Sequence, residues 1–208
     1  MFKAIGVVGI HTGIGKTVAS AVLAKAWNMD YWKPIQAGSL DSSDSIMVQQ
    51  WSGQFVHPER YLLNEASSPH AAAKKEQVQI QLSDFVLPSS QRSILVETAG
   101  GLFSPVNDEF TMLDLVKHLQ LPVVVVMANY LGSINHSMLT LEVLKQHKIK
   151  IAGLVFCGET NKESEAFILQ HTRHRVIARI PFVNPISKEF ITQQASQLLP
   201  ETEIWSTH

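Results

Sequence analysis

A single α/β domain over residues 1–208, with a mostly parallel sheet covered by helices on both faces, is the fold class this sequence predicts. Three observations carry that prediction: short β-branched runs that are apolar on both faces, longer helix-like stretches between them, and a glycine-rich loop joining the first run to the first stretch. Strands buried on both faces are characteristic of parallel sheets, and the intervening lengths suit right-handed crossovers. A chain of 208 residues is enough for one such domain with a sizeable core.

In chain order the expected strands are Ala4 to Val8, Ser93 to Glu97, Pro122 to Met127, Ile149 to Phe156 and Arg175 to Ile180. Between them lie expected helices at Thr17 to Trp27, Ser43 to Trp51, Met112 to Leu119, Asn135 to His147, Lys162 to His171 and Ser187 to Leu199. Spacings such as Val22, Leu23, Ala26 and Met138, Leu141, Leu144 fit burial of one helix face. Gln54 to Arg92 is punctuated by Pro58, Pro69 and Pro88, and only Ala71 to Gln77 reads as helical. Loops over a site are expected there. Composition narrows the class further. With 45% hydrophobic and 17% charged residues the chain is too apolar for disorder. A net charge of −1 gives no footprint for nucleic acid. The single Cys157 can form neither an internal disulfide nor a Cys-rich metal site, so a reducing compartment is expected. No apolar run approaches the roughly 18 residues of a membrane span. The expected location is cytoplasmic.

Gly13-Ile14-Gly15-Lys16-Thr17 follows a strand and opens a helix, the context that a phosphate-binding P-loop requires. Loop and helix amides can wrap phosphate oxygens, Lys16 can neutralise the terminal phosphates, and the Thr17 hydroxyl can sit on Mg²⁺. The first glycine, Gly9, stands one place early, and Ile10 holds the regular position. The bland alternative is a glycine-rich turn with an incidental lysine. The agreement of strand, loop, Gly-Lys-Thr and helix argues against it, and the fold is read as that of a P-loop NTPase.

The second signal is Ser93-Ile-Leu-Val-Glu97-Thr98-Ala99-Gly100-Gly101, a buried strand ending in a carboxylate. Ligands of doubly wound sheets sit beyond the carboxyl ends of the strands, so Glu97 should emerge beside the P-loop and offer Mg²⁺ an oxygen. The alternative is a glutamate that only ends the strand against solvent. Asp44, in Asp41-Ser-Ser-Asp44, is equally readable as a metal ligand or as part of a helix cap. Lys33 precedes Pro34, which forces an extended backbone there, so its side chain would either reach the phosphate pocket or sit solvated at a turn. Asn129 to His136 again runs from an apolar strand into a helix, whose first amides suit a carboxylate, with capping by Ser133 or Asn135 as a compatible reading. His171 and His174 have no Cys, Asp or Glu close by in sequence, so a transition-metal site is not expected there.

Taken together, Gly9 to Thr17, Lys33-Pro34 to Gly38, Ser43-Asp44, Ser68-Pro69-His70, Glu97 to Gly101, Leu131 to His136 and Ile180-Pro181-Phe182 resemble the dethiobiotin synthetases in order and spacing, over nearly the whole chain. The resemblance implies a homodimeric ligase of biotin biosynthesis that uses ATP, with Mg²⁺ as cofactor, to carboxylate 7,8-diaminononanoate with CO₂ and close the ureido ring. It further implies that Thr17, Asp44 and Glu97 hold Mg²⁺, that Gly13, Ile14, Gly15, Lys16 and Thr17 hold the triphosphate, and that Lys33 grips the carbamate and the transferring phosphoryl group. Thr98, Ala99, Gly100, Cys157, Gly158, Pro181, Phe182 and Val183 would also meet the nucleotide. Thr12 and Ala37 would line the diamine site, and Gly132, Ser133 and Asn135 would receive the substrate carboxylate across the dimer.

Three departures from the family pattern are visible. His11 stands where an acid is usual, and Ala37 where a hydroxyl residue is frequent. Cys157 stands where the family tends to place an Asn that reads the purine, and a thiol cannot reproduce its paired hydrogen bonds. Two other readings compete. One is a nucleotide-switch ATPase of the partition and nitrogenase-iron-protein type. Those proteins carry a lysine five places before the P-loop lysine, where this chain has His11. The other is a different ATP-dependent ligase of the same superfamily.

Overall fold

The structure is a computed structural model and describes residues 3–205. The elements run β1 (Ala4–Gly9), α1 (Lys16–Ala26), β2 (Asp30–Trp32), β3 (Ile35–Ala37), α2 (Asp44–Ser52), β4 (Val56–His57), β5 (Tyr61–Leu63), α3 (Pro69–Lys75) and β6 (Ile94–Gly101). They continue with α4 (Met112–His118), β7 (Val123–Ala128), α5 (Ser133–Gln146), β8 (Ile151–Cys157), α6 (Lys162–Thr172), β9 (Val176–Ile180), α7 (Lys188–Ala195) and α8 (Glu201–Trp205).

Seven of the described strands form one parallel sheet in the order β4-β2-β6-β1-β7-β8-β9. From β1 the chain first steps towards β2 on one side of the sheet, then returns through β6 to β7, β8 and β9 on the other. Right-handed crossovers in opposite directions put their helices on opposite faces. Accordingly α1 packs with α2 and α7, and α5 packs with α6. The central strands explain the apolar runs: every residue of β1 is buried, as are Val123, Val124, Val125 and Val126 of β7. No helix of the described residues is long and apolar enough to cross a membrane.

The five longer strands lie where the sequence predicts them, to within two residues except at the end of β6, which runs to Gly101, four residues past the expected Glu97. Asp30–Trp32 forms a further short strand just before Lys33. The differences fall in the short elements. Within Gln54 to Arg92 the chain adds β4 to the sheet edge and β5 to a separate parallel pair with β3, and it forms α3 from Pro69. Strands of two or three residues are too short for an alternation to be read. The last helix, expected to reach Leu199, stops at Ala195. There the chain tightens into i to i+3 bonds, Gln197 N–H to the Gln194 carbonyl and Leu198 N–H to that of Ala195. Helix α5 begins at Ser133, two residues before the expected start, behind Gly132 in the left-handed region at φ 96°.

Register is what builds the site. Val7 of β1 and Glu97 of β6 are partners, and Trp32 of β2 pairs with Val96. Lys33, the next residue after β2, therefore emerges beside Glu97, and the loop after Gly9 leaves from the same edge of the sheet.

On the far side of the sheet, buried Glu165 of α6 accepts from Asn129 Nδ2 at 3.1 Å and Arg179 Nε at 2.7 Å, tying the ends of β7 and β9 together. Hydrogen bonds to a charged group contribute about 1.5 to 3 kcal/mol. Glu165→Leu should therefore lower the melting temperature by several degrees, at about 2 to 4 °C per kcal/mol in a domain of this size. Thermal denaturation by circular dichroism checks it, and an unchanged midpoint would show that the tie is not stabilising.

Candidate active site

The loop after β1 can curl because Gly13 and Gly15 take φ of 71° and 90°. Gly15 is doubly constrained: a Cβ there would come within 3.0 Å of the Cys157 Cβ. The loop leads into α1, which has no side-chain cap and no acidic residue in its first turn, so its first amides are available to an anion in the cavity that Gly13 to Thr17 line. Lys16 lies buried along the loop and donates to the His11 carbonyl at 3.2 Å. Burial lowers its pKa, helped by the like charge of Lys33 and only partly offset by Glu97 and Asp44.

Three oxygens meet at the start of α1. Thr17 donates to Asp44 Oδ1 at 2.5 Å and lies 3.4 Å from Glu97 Oε1. The cap of α2 is the neighbour of Asp44 and not Asp44 itself. Ser43 caps α2, accepting from the Ile46 N–H at 3.3 Å, which frees the Asp44 side chain to turn inward. Lys33 is only 6% exposed, and its ammonium donates to Asp44 Oδ2 and lies 3.5 Å from Glu97 Oε1. A solvated surface lysine is thereby ruled out. Burial works against the charge of Lys33, but Glu97 and Asp44 outweigh it and raise its pKa. Burial likewise opposes the charge of Asp44, and Lys33 overcomes it, so the carboxyl is held below its usual range.

Glu97 is 1% exposed and is oriented by two residues absent from the sequence reading. Ser20 Oγ donates to its Oε2 at 2.6 Å and Tyr31 OH donates to the same oxygen at 3.0 Å, so Oε1 faces Thr17 and Lys33. The Tyr31 pKa stands well above the ordinary phenol value through burial first and Glu97 second, which keeps the hydroxyl a donor. A signal for both was present: Ser20 is three residues after Thr17 on one helix face, and Tyr31 is two residues before Lys33 on one strand face.

The protein oxygens fit a small hard cation. Adjacent ligands of an octahedral ion with bonds of 2.0 to 2.1 Å lie about 2.9 Å apart, between the two separations seen here. Among the described residues no group of three or more His, Cys, Asp or Glu converges. Thr17, Asp44 and Glu97 could thus supply part of a Mg²⁺ shell, with phosphate and water oxygens completing it.

A cavity of about 640 Å³ opens over these groups, lined by Thr12 to Thr17, Lys33, Ala37, Asp44, Ala66 to Pro69, Glu97, Ala99 and Gly100. Gly13, Ile14 and Gly15 also wall a smaller cavity of about 220 Å³ on their other side, with Cys157, Gly158, Pro181, Phe182, Val183, Ile186 and Phe190. Apart from the Cys157 thiol, no side chain lining this second cavity carries a polar group. That thiol, buried and pushed up to about 12, makes only a long contact of 3.8 Å with the Gly15 carbonyl. Two sets of expected residues fall outside both cavities. The Thr98 hydroxyl donates to the Val7 carbonyl at 3.1 Å, tying β6 to β1. Gly132, Ser133 and Asn135 line neither cavity, although the rings of their neighbours Tyr130 and His136 each stand 6.0 Å from that of His11 in the loop after β1.

Comparison with known proteins agrees with this layout. The family model described as the AAA domain matches residues 3–189. Among solved structures, the chain is similar in fold to a ParA family ATPase from Chlorobium tepidum, at a TM-score of 0.57 and 14% identity over 93% of this chain and 90% of that one. A putative plasmid partition protein from Borrelia burgdorferi bound to AMPPNP gives 0.57 and 11% over 93% and 94%. Curated relatives are much nearer in sequence. The ATP-dependent dethiobiotin synthetase BioD of Cytophaga hutchinsonii is 42% identical over 92% of this chain and 95% of its own length. The protein of the same name from Chlamydia pneumoniae is 38% identical over 97% and 90%. With such identity along almost the full length of both partners, and the phosphate loop, the carboxylates and the buried lysine on one sheet edge, the chain belongs to the dethiobiotin synthetase family.

Proposed function

We propose that this chain is an ATP-dependent dethiobiotin synthase that carboxylates 7,8-diaminononanoate with CO₂ and closes the ureido ring, releasing ADP and phosphate. The observation that carries the reading is the buried Lys33, whose ammonium stands among Asp44 and Glu97 at the floor of the cavity bounded by Lys16 and the α1 amides. A carbamate and a terminal phosphate repel each other, and a reaction that joins them needs cations fixed between them. Lys33 and Lys16 provide two. Bound Mg²⁺ would offset further phosphate charge. The amides of Gly13 to Thr17 hold the triphosphate, Thr17, Asp44 and Glu97 orient the metal, and Thr12 and Ala37 line the way to the diamine. Ring closure then needs only the second amine to reach the activated carbamate carbon and phosphate to leave.

A nucleotide switch would use the same fold, and the partition ATPases share it at 11 to 14% identity. The position of their extra lysine is His11 here, whose side chain is exposed, and its ring pairs with the Thr12 carbonyl at 2.8 Å. A homodimer is part of the proposal. Leu131, Gly132 and Asn135 are exposed while Ser133 is buried, and none of the four lines either cavity of the single chain, so the carboxylate site at Gly132, Ser133 and Asn135 would be completed against a second copy. The expected location is the cytoplasm.

The deciding experiment is a coupled assay of phosphate release. Turnover should require both diaminononanoate and bicarbonate, stop with chelator and return with Mg²⁺. Phosphate release indifferent to the diamine would favour the switch instead.

Lys33→Ala should lower kcat by about 10²-fold or more, the scale of losing one transition-state donor, while the affinity for nucleotide changes much less. An unchanged kcat would remove Lys33 from the chemistry.

The apolar second cavity adds a prediction about the base. With only a protonated thiol beside it, the triphosphate grip should dominate, and GTP and CTP should support the reaction within about tenfold of ATP, a difference near 1.4 kcal/mol. Cys157→Asn, which restores a donor and an acceptor, should sharpen the preference for ATP. The ratio of kcat/KM for the three nucleotides in both proteins measures it, and a wild-type preference above about a thousandfold would show that backbone groups read the base.

A further inference from the structure

We propose that Lys33 and the divalent cation compete for the same two carboxylates, so that metal loading expels the ammonium from Asp44 and Glu97 and delivers it into the substrate cavity. The inference rests on the assignment of Thr17, Asp44 and Glu97 as metal ligands made above, and it concerns the order in which charges arrive.

The observation is the sharing of oxygens. Glu97 has one free oxygen, because Ser20 and Tyr31 hold Oε2 at 2.6 and 3.0 Å. That free oxygen, Oε1, is 3.4 Å from Thr17 Oγ1 and 3.5 Å from Lys33 Nζ. Asp44 gives Oδ1 to Thr17 and Oδ2 to Lys33. The ammonium therefore shares Glu97 Oε1 with Thr17 and occupies the second oxygen of Asp44, beside the one that faces Thr17, so it sits against both carboxylates that a cation bonded to Thr17 would use. Two cations on one such group repel at short range, and the more highly charged one makes the stronger bonds.

Lys33 is built to yield. Its backbone is fixed, since Trp32 pairs with Val96 on one side and Pro34 follows on the other. The movement must then come from its flexible four-carbon side chain. The stem borders the 640 Å³ cavity, with Thr12, Ala37, Ala99 and Gly100 among the other walls. Space to receive the displaced ammonium thus lies on the side where the substrate would sit. An expelled ammonium is a cation without a partner in a part-enclosed site. An anionic carbamate supplies that partner, so metal-nucleotide and carbamate should favour each other's binding, and by linkage the coupling is reciprocal.

The test is made on the full-length, nucleotide-free protein with Mn²⁺ as the probe, followed by electron paramagnetic resonance. Lys33→Met should bind Mn²⁺ at least about tenfold more tightly than wild type. Lys16→Met is the control, because Lys16 shares the field of both carboxylates but its ammonium bonds the His11 carbonyl rather than either of them. It should change Mn²⁺ affinity by no more than about threefold. Absence of tightening in Lys33→Met, or equal tightening in both variants, overturns the proposal. If Lys33→Met fails to fold, the wild-type protein decides. Acetylation of Lys33 by acetic anhydride, read by mass spectrometry, should quicken at least about threefold with saturating Mg²⁺ and ADP, and an unchanged or slower rate overturns the proposal. The outcome is separable from that of the proposed reaction. Dethiobiotin synthesis without the Mn²⁺ effect would leave the enzyme assignment standing and remove this inference, and the reverse result would do the opposite.

Discussion

The buried carboxylate of Glu97 is the constraint on which the rest of the site depends. An ionised group in the middle of a parallel sheet is costly unless every lone pair finds a donor. Three residues supply donors, Ser20 from α1, Tyr31 from β2 and Lys33 just beyond it, and Thr17 of α1 stands beside the remaining oxygen. The partners of one charge thereby hold α1, the phosphate loop and the end of β2 in a single geometry.

Chemistry is divided around that carboxylate by the loop itself. On one face of Gly13 to Gly15 the walls are charged, with Lys16, Lys33, Asp44 and Glu97 close together. On the other they are apolar, from Cys157 to Phe190. Such a division suits a ligand with an anionic end and a flat, largely apolar end. On the proposed reading, backbone amides and cations would act on the first, and contact and shape on the second. Gly15 sits at the seam, where contact with Cys157 leaves no room for a side chain.

Much of this was legible in residue order, and the unclear parts have physical causes. Lys16 and Thr17 were assignable because a strand, a glycine loop and a helix start are local in sequence. Lys33 and Asp44 were ambiguous because capping, solvation and ligation use the same residue types. Ser20 and Tyr31 went unnoticed because a serine inside a helix and a tyrosine inside a strand are ordinary core residues until a buried charge stands opposite. Thr98 shows the reverse case: its motif suggested the nucleotide, but its strand position points the hydroxyl at the Val7 carbonyl.

By itself the sequence determined the alternation of buried strands and helices, the phosphate loop and the family likeness, because periodicity and short motifs record local conformational preference. Only the tertiary structure decided that Lys33 is a buried counter-ion and not a surface charge, that Ser43 caps α2 and frees Asp44, and that Gly132 to Asn135 stand apart from the cavity of their own chain. The reason is register. Pairing Val7 with Glu97 and Trp32 with Val96 sets which side chains leave the sheet edge together, and that pairing is a long-range choice made by packing the whole sheet.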